Sequence, residues 1–400
     1  MSAALRALAL AATLMLAACA TRRPEPPAPP APAPAPVPTP APTPPPPPPP
    51  ANALAAGVEE VHPLAVAGAK SERALAAFRV SCPVLQRRQD RSGLTRPGDW
   101  SAVCAEAAAV PAGAAAAFFN DRFDWARIGE GKAFATGYYE PEIAGVRAPQ
   151  PGFAVPVYRT PTDLVRCTKP DGTTGRGRIN ETGVCVLYYT RAEIEDGALA
   201  RKGLEIAWAA GPIDLFFLQI QGSGRLKAPD GSVMRIGYAD QNGREYVAIG
   251  RLLRERGLLP QGGANMAAIK AWMRAQPDGG KSLMRENLSY IFFRELTGPG
   301  PLGALDLPVT PQATVAADPL FVPLGAPVFL DVGRFDAGGL WVAQDTGGAI
   351  KGANRFDTFW GAGDEAERTA GGFSANGRAL ILLPKGTVDR LRAERAQAQP

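Results

Sequence analysis

The sequence predicts a mainly β architecture with helices, an α+β class, carried by the chain beyond its first fifty residues. Three observations predict it. From about Gly298 onward the chain reads as short strands separated by Gly/Pro turns, the spacing of a small β-barrel. The middle of the chain mixes β-branched and aromatic runs with two helical blocks. Residues 51–130 carry a mostly helical pattern. Of the 400 residues, roughly 350 are left for globular structure, enough for two domains with their own cores.

The N-terminal segment has a different character. Arg6 supplies a basic start, and Leu8 to Leu16 is apolar but shorter than the ~20 residues of a spanning helix. It ends in Leu16-Ala17-Ala18-Cys19, the pattern of a bacterial lipobox, so residues 1–18 read as a lipoprotein signal and Cys19 as the lipidated residue. Ala20 rather than Asp follows Cys19, which favours the outer membrane by similarity to other lipoproteins. Pro24 to Pro50 is nearly all Pro and Ala. That composition favours extended polyproline II at ~3.1 Å per residue, a spacer between a membrane and a more distant target.

In the helical region, Ser71 to Cys82 and the Ala-rich stretch Ala102 to Phe119 read as helices, and Phe118, Phe119, Phe123 and Trp125 as a core face. Phe134 to Ile143 reads as a strand and turn, followed by strands at Phe153 to Tyr158 and Gly183 to Tyr189. Thr190 with Glu193 is a capping box. Ile213 to Leu226 reads as a buried strand ending in a Gly-rich turn, with Val233 to Tyr238 as its hairpin partner. Tyr246, Ile249, Leu252 and Leu253 recur at helical spacing before Gly257, as do Met266, Ile269, Trp272 and Met273. Asn287 to Phe293 returns to strand character. The barrel strands are Ala313 to Ala316, Pro327 to Val332, Leu340 to Gln344 and Arg378 to Leu383.

Composition narrows the chemistry. The net charge of +5 is mild and the basic residues are scattered, so nucleic acid is not an expected partner. A single histidine, His62, argues against a His-based triad or a multi-His metal site. Cys82, Cys104, Cys167 and Cys185 remain after Cys19; an even number in an exported chain suggests disulfides, and proximity favours Cys82–Cys104 and Cys167–Cys185 among the three pairings. No CxxC spacing points to zinc, and neither metal nor cofactor is expected.

The densest unusual segment is Gln344-Asp345-Thr346-Gly347-Gly348-Ala349-Ile350-Lys351-Gly352-Ala353-Asn354-Arg355-Phe356-Asp357, read as a strand leading into a Gly-rich loop. It presents two carboxylates where acid/base chemistry would need them, although both could equally cap turns. Asp-Thr-Gly also occurs in aspartic proteases, but those require a second copy that is missing here. Lys351 is a candidate electrostatic partner for either aspartate. Gln219, Gln221 and Ser223, with Tyr138 and Tyr139, offer the amide, hydroxyl and aromatic groups that sugars favour; for the tyrosines core packing is the competing reading.

Gly137-Tyr138-Tyr139-Glu140-Pro141, Gln219-Ile220-Gln221-Gly222-Ser223-Gly224, Tyr238-Ala239-Asp240-Gln241-Asn242-Gly243 and Asp345-Thr346-Gly347-Gly348-Ala349-Ile350-Lys351-Gly352 together, and in this order, resemble the membrane-bound lytic murein transglycosylase A family. The resemblance implies a double-psi β-barrel assembled from the two ends of the globular chain, residues 53–136 and 298–392, with a β-rich domain inserted at 137–297 and a groove between them. Residues 19–52 would be the lipidated cysteine and linker, and 393–400 a tail. It implies a lyase that cleaves the β-1,4 bond between N-acetylmuramic acid and N-acetylglucosamine, with Asp357 as the acid/base at the end of the loop and Asp345 in support. Tyr138, Tyr139, Gln219, Gln221, Ser223 and Lys351 would face glycan. Burial against neighbours such as Phe356 would raise the Asp357 pKa. Peptidoglycan glycan strands are then the expected partner, proteins of wall-synthesis or division complexes are further candidates, and the periplasmic side of the outer membrane is the expected location. A non-catalytic, peptidoglycan-binding lipoprotein is the competing function.

Overall fold

The computed structural model describes residues 48–259, 265–298 and 300–397. Cys19, the signal segment and most of the Pro/Ala linker lie outside the described residues. No described helix is long and apolar enough to cross a membrane.

The strands, in chain order, are β1 (Val58–Val61), β2 (Phe123–Ile128), β3 (Lys132–Glu140), β4 (Glu142–Val146), β5 (Val155–Tyr158), β6 (Val165–Thr168), β7 (Thr174–Ile179), β8 (Cys185–Val186), β9 (Glu205–Ala209), β10 (Ser223–Lys227), β11 (Val233–Gln241), β12 (Ile291–Glu295), β13 (Thr314–Ala317), β14 (Pro327–Val332), β15 (Gly339–Asp345), β16 (Arg355–Ala362) and β17 (Ser374–Pro384). They fall into sheets that match the two-domain expectation. One sheet runs β1-β2-β17-β14-β15-β13-β16-β3, and a further β17–β3 pairing closes β3, β16, β13, β15, β14 and β17 into a ring. A second runs β12-β11-β10-β4-β9-β5, and β6-β7-β8 form a small third sheet.

The ring closes because β17 is long enough to serve three neighbours. Its first half pairs with β3, its second half with β2, and β14 lies along its other side. Gly377 is required where β17 crosses β14: a Cβ there would stand 2.1 Å from the Asp331 carbonyl oxygen. The outer wall is the helix Gly68–Leu85. It buries Ser71, Ala74, Leu75, Phe78, Cys82 and Leu85, a helical spacing. Phe78 meets Phe118, Phe119 and Phe123 at ring separations of 5.7–6.3 Å. Buried Gln344 of β15 fastens this helix, donating to Ala77 O at 3.1 Å and Ser81 Oγ at 3.0 Å while accepting from Thr314 Oγ1. Cys82 and Cys104 are disulfide-bonded, joining the same helix to Ser101–Ala109, and Cys167 is bonded to Cys185 across the small sheet.

Several elements differ from the sequence reading. The region 51–130 contains β1 and β2 as well as helices, and its Ala-rich helix is broken into Ser101–Ala109 and Ala115–Asp121 around Pro111 and Gly113, whose φ is +87°. Gly183 to Tyr189 contributes only the two residues of β8, β12 begins at Ile291, and Tyr246 precedes the helix Ile249–Glu255. The largest correction is Ile213 to Gln221, which is helix: Pro212 occupies the first turn, Asp214 sits near the helix N-terminus, and Gly222 at φ +82° stops it. Leu215 and Leu218 pack into the inserted sheet, whereas Ile213, Phe216 and Phe217 pack on the helices behind. A helix wedged between two cores is apolar all round, so periodicity cannot separate it from a buried strand. The hairpin partner of β11 is β10, the segment after that helix.

Gly377→Ala is expected to lower stability by about 1–3 kcal/mol through overpacking at the β14–β17 crossing. Urea denaturation measures this directly, and an unchanged midpoint would contradict the close approach.

Candidate active site

Four adjacent barrel strands each place one residue in a single row. Asp357 on β16 is in register with Thr136 on β3 and with Ala316 on β13, and Ala316 is in register with Asp345 on β15. Residues opposite one another across a sheet share a face, so all four side chains project to the same side. A register shift between Val315 and Ala316 brings Asp345 into this row. Below it, Tyr138 and Phe359 are also paired, their rings 5.0 Å apart, and with Val309, Ala316 and Ile350 they form an apolar floor.

Alternation along the strands decides which candidate residues reach this site. Tyr138 does: its hydroxyl donates to Asp345 Oδ2 at 2.9 Å. Tyr139 does not; it is 2 % exposed, lies in the barrel core and places its hydroxyl 3.4 Å from Met266 Sδ. Phe356 likewise points into the barrel core, so the apolar floor, rather than Phe356, buries Asp357. Asp357 itself belongs to β16 and not to a loop. Among the described residues Lys351 makes no ion pair; it is exposed on the groove rim, and the cation beside Asp357 is Arg355.

Each carboxylate has its own set of donors. Asp345 Oδ1 accepts from the backbone N–H of Thr346 at 2.8 Å and of Ala304 at 3.0 Å, in addition to Tyr138 on Oδ2. Asp357 Oδ1 accepts from Thr136 Oγ1 at 2.7 Å. The Thr136 hydroxyl in turn accepts from Arg355 Nη2 at 2.9 Å, which directs its proton toward Asp357. Arg355 lies on the Phe134 ring, 4.9 Å from its centroid. Burial pushes both carboxyl groups up to about 6. For Asp357 the Thr136 hydrogen bond and the Arg355 charge oppose that rise, and the Asp345 charge adds to it. The two aspartates share one face, and Asp345 has the larger donor set, while its charge adds to the rise at Asp357.

The loop that separates them is built for close approach. Asn354, at φ +57°, turns the chain into β16 and donates through Nδ2 to Ile128 O at 2.9 Å. A Cβ on Gly348 would lie 3.6 Å from Tyr246 Cβ, which brings the inserted domain against this loop. Burial raises the Tyr246 phenol to about 12, and the Asp357 charge adds to the rise.

The row of carboxylates opens into a groove of about 900 Å³ between the barrel and the inserted domain. Gln219, Gln221 and Ser223 line it, but Gln219 and Gln221 come from the helix Pro212–Gln221. Gln219 is 3 % exposed, with Nε2 3.5 Å from Ile291 O and a buried Oε1 without a protein partner. Gln221 Oε1 accepts from Tyr139 N at 3.1 Å, and Ser223 is buried at the start of β10. No cluster of potential metal ligands occurs among the described residues. Thr136, Arg355 and Tyr246 were not singled out in the sequence. The first two lie two residues from Tyr138 and Asp357, so strand alternation marks them once β16 is seen as a strand; the sequence marked Tyr246 only as part of a run at helical spacing.

Comparison with known proteins places these features. Residues 134–294 match the MltA specific insert domain and residues 313–383 match the 3D domain. Membrane-bound lytic murein transglycosylase A from Vibrio cholerae is 34% identical over 264 residues, which covers 63% of this chain and 66% of that protein. The match thus spans just under two thirds of that relative's length. Among solved structures, a membrane-bound lytic murein transglycosylase from Agrobacterium tumefaciens aligns with a TM-score of 0.76 at 31% identity, covering 84% of this chain and 99% of the other. Escherichia coli MltA with bound chitohexaose aligns with a TM-score of 0.61 at 28% identity, covering 82% and 94%.

Asp357→Asn tests the burial of this carboxyl independently of any reaction. A folded-state pKa of about 6 lies above the ~3.9 of an unfolded aspartate, so the folded chain binds the extra proton between those values. The favourable contribution is full below about pH 4 and is lost as pH rises through 6. Asp357→Asn is therefore expected to be more stable than the parent at pH 8 by about 1–2 kcal/mol, with the gap narrowing toward pH 4. Equal urea stability at pH 8 would show that the carboxylate is well solvated.

Proposed function

Since this chain belongs to the membrane-bound lytic murein transglycosylase A family, we propose that its groove binds a peptidoglycan glycan strand and that Asp357 is the acid and base that cleaves it. The observation that carries this reading is the Thr136–Asp357–Ala316–Asp345 row at the groove floor, where burial pushes two carboxyl groups on one face up to about 6. The chitohexaose bound to the Escherichia coli relative supports a glycan as the occupant.

In the proposed reaction the Asp357 carboxylic acid gives its proton to the oxygen of the β-1,4 bond between N-acetylmuramic acid and N-acetylglucosamine. The C1–O bond breaks, and N-acetylglucosamine leaves with that proton. The Asp357 carboxylate then takes the proton of the muramoyl C6 hydroxyl as its oxygen bonds to C1. A 1,6-anhydromuramoyl end results, no water is consumed, and Asp357 is again protonated. A hydrolysing glycosidase divides these tasks between two carboxyl groups; here one suffices because the nucleophile belongs to the substrate. Asp345, fixed by Tyr138 and two backbone N–H groups, supplies the negative charge that keeps the proton on Asp357 and favours the cationic character developing at C1. Gln219, Gln221 and Ser223 present amide and hydroxyl groups to the strand, and Lys351 offers a cation at the rim. Lipidation of Cys19, with the Pro/Ala run as spacer, would hold the enzyme on the periplasmic face of the outer membrane; the relatives' description as membrane-bound agrees with this.

Purified peptidoglycan incubated with residues 51–400 is expected to release 1,6-anhydromuropeptides by mass spectrometry. Asp357→Asn is expected to reduce the rate at least about a thousandfold, and reducing, water-added ends would overturn the mechanism. Thr136→Val removes a hydrogen bond that favours the Asp357 carboxylate, so its pKa rises. The alkaline limb of the kcat/KM profile is expected to move up by about half a pH unit; an unmoved limb would detach Thr136 from the acid.

A further inference from the structure

Tyr238 is 40% exposed and lines the groove, a rare position for a large aromatic side chain in a sheet this well packed. Most aromatic side chains of the inserted domain, Tyr158, Tyr188, Phe216, Phe217, Tyr290, Phe292 and Phe293 among them, are buried. Its setting is built rather than incidental. β11 carries a bulge at Ala239, because Tyr238 is opposite Phe293 whereas Asp240 is opposite Phe292. The bulge breaks the alternation between the two, and Asp240 forms an ion pair with Arg176 of β7. Arg176 Nη2 stands 3.5 Å from the Tyr238 hydroxyl. Gly243, at φ +75°, lets the chain pass beside Arg176, for a Cβ there would fall 2.7 Å from Arg176 Cβ. The small sheet that supplies Arg176 is closed by the Cys167–Cys185 bond and contributes nothing to the carboxylate row.

We propose that Tyr238 is a saccharide-stacking platform of the groove, braced from behind by Arg176 and Asp240, and that the disulfide-tied sheet exists in part to hold it. This rests on the reading of the groove as a glycan-strand site and adds to it a subsite outside the group that touches Asp357. An exposed phenol ring offers a flat apolar face to the axial C–H bonds of a pyranose, and its hydroxyl, anchored at the edge, keeps that face turned to the groove. The occupant is a neutral N-acetylhexosamine ring of the strand, recognised by shape and not by charge.

The test uses peptide-free strands of alternating N-acetylglucosamine and N-acetylmuramic acid, of graded length, titrated calorimetrically into the Asp357→Asn protein so that none is consumed. In that protein affinity is expected to rise with length and then level off. Adding Tyr238→Ala is expected to weaken binding of long strands about tenfold and to remove one step of the length dependence, whereas Tyr238→Trp restores it. Arg176→Met is expected to give a smaller loss in the same direction. In the otherwise native enzyme Tyr238→Ala raises KM for long strands and leaves kcat unchanged. Affinity for every length that is indifferent to Tyr238→Ala would overturn the platform. Failure of a parent that binds strands to release anhydro ends would overturn the catalytic reading alone, and absence of any strand binding would overturn both.

Discussion

β16 is hydrogen-bonded along both edges, antiparallel to β13 and parallel to β3, and the site depends on that clamp. In the proposed reaction Asp357 gives a proton to one oxygen and takes one back from another, and a carboxyl with those two tasks cannot shift between them. On a loop, Asp357 would be held by its own side-chain contacts. In the middle of a closed ring its Cα is fixed by neighbours on either side, and Thr136 and Ala316 are fixed with it. The bond from Thr136 spans 221 residues of sequence, so the geometry around the acid is a property of the finished barrel and of no local segment.

The same clamp creates an energetic tension. A strand position over the Tyr138, Ile350 and Phe359 floor desolvates whatever charge it carries, and both aspartates respond with a raised pKa. What separates them is the supply of donors. Two backbone N–H groups and a phenol attend Asp345, while a single hydroxyl attends Asp357. Donors favour the ionised form, so two identical residues on one face meet the rise caused by burial with unequal opposition. Arg355 acts on Asp357 through the Thr136 hydroxyl and by its charge, which opposes the rise that burial causes.

Much of this was legible in the sequence, and the failures have physical causes. The barrel strands around 313–345 and 378–383 announce themselves because Gly and Pro punctuate them, and the Asp345 and Asp357 motifs stand out by composition. β16 was missed because Asn354 makes its turn without a glycine and the preceding glycines suggested a loop extending to Asp357. The helix Pro212–Gln221 was misread because burial on two sides erased its periodicity. Tyr138 and Tyr139 illustrate the finer limit: adjacent identical residues with equal claims as sugar contacts, one turned to the groove and one to the core by the pleat alone. Tyr246 belongs to another domain, and its nearness to Gly348 is a fact of packing that no local pattern carries.

The ring closure also sets an order of events for a growing chain. β3 is made early, yet both of its partners, β16 and β17, lie more than two hundred residues downstream, beyond the whole inserted domain. The inserted sheet, by contrast, is complete within residues 142–295. A chain that emerges N-terminus first therefore has the means to finish its middle domain while β3 still waits with unpaired edges. Such distant pairing carries a large loop-closure cost and makes for slow folding. The ring cannot close before β16 and β17 have been made, so the carboxyl row does not exist until nearly the entire chain has been delivered.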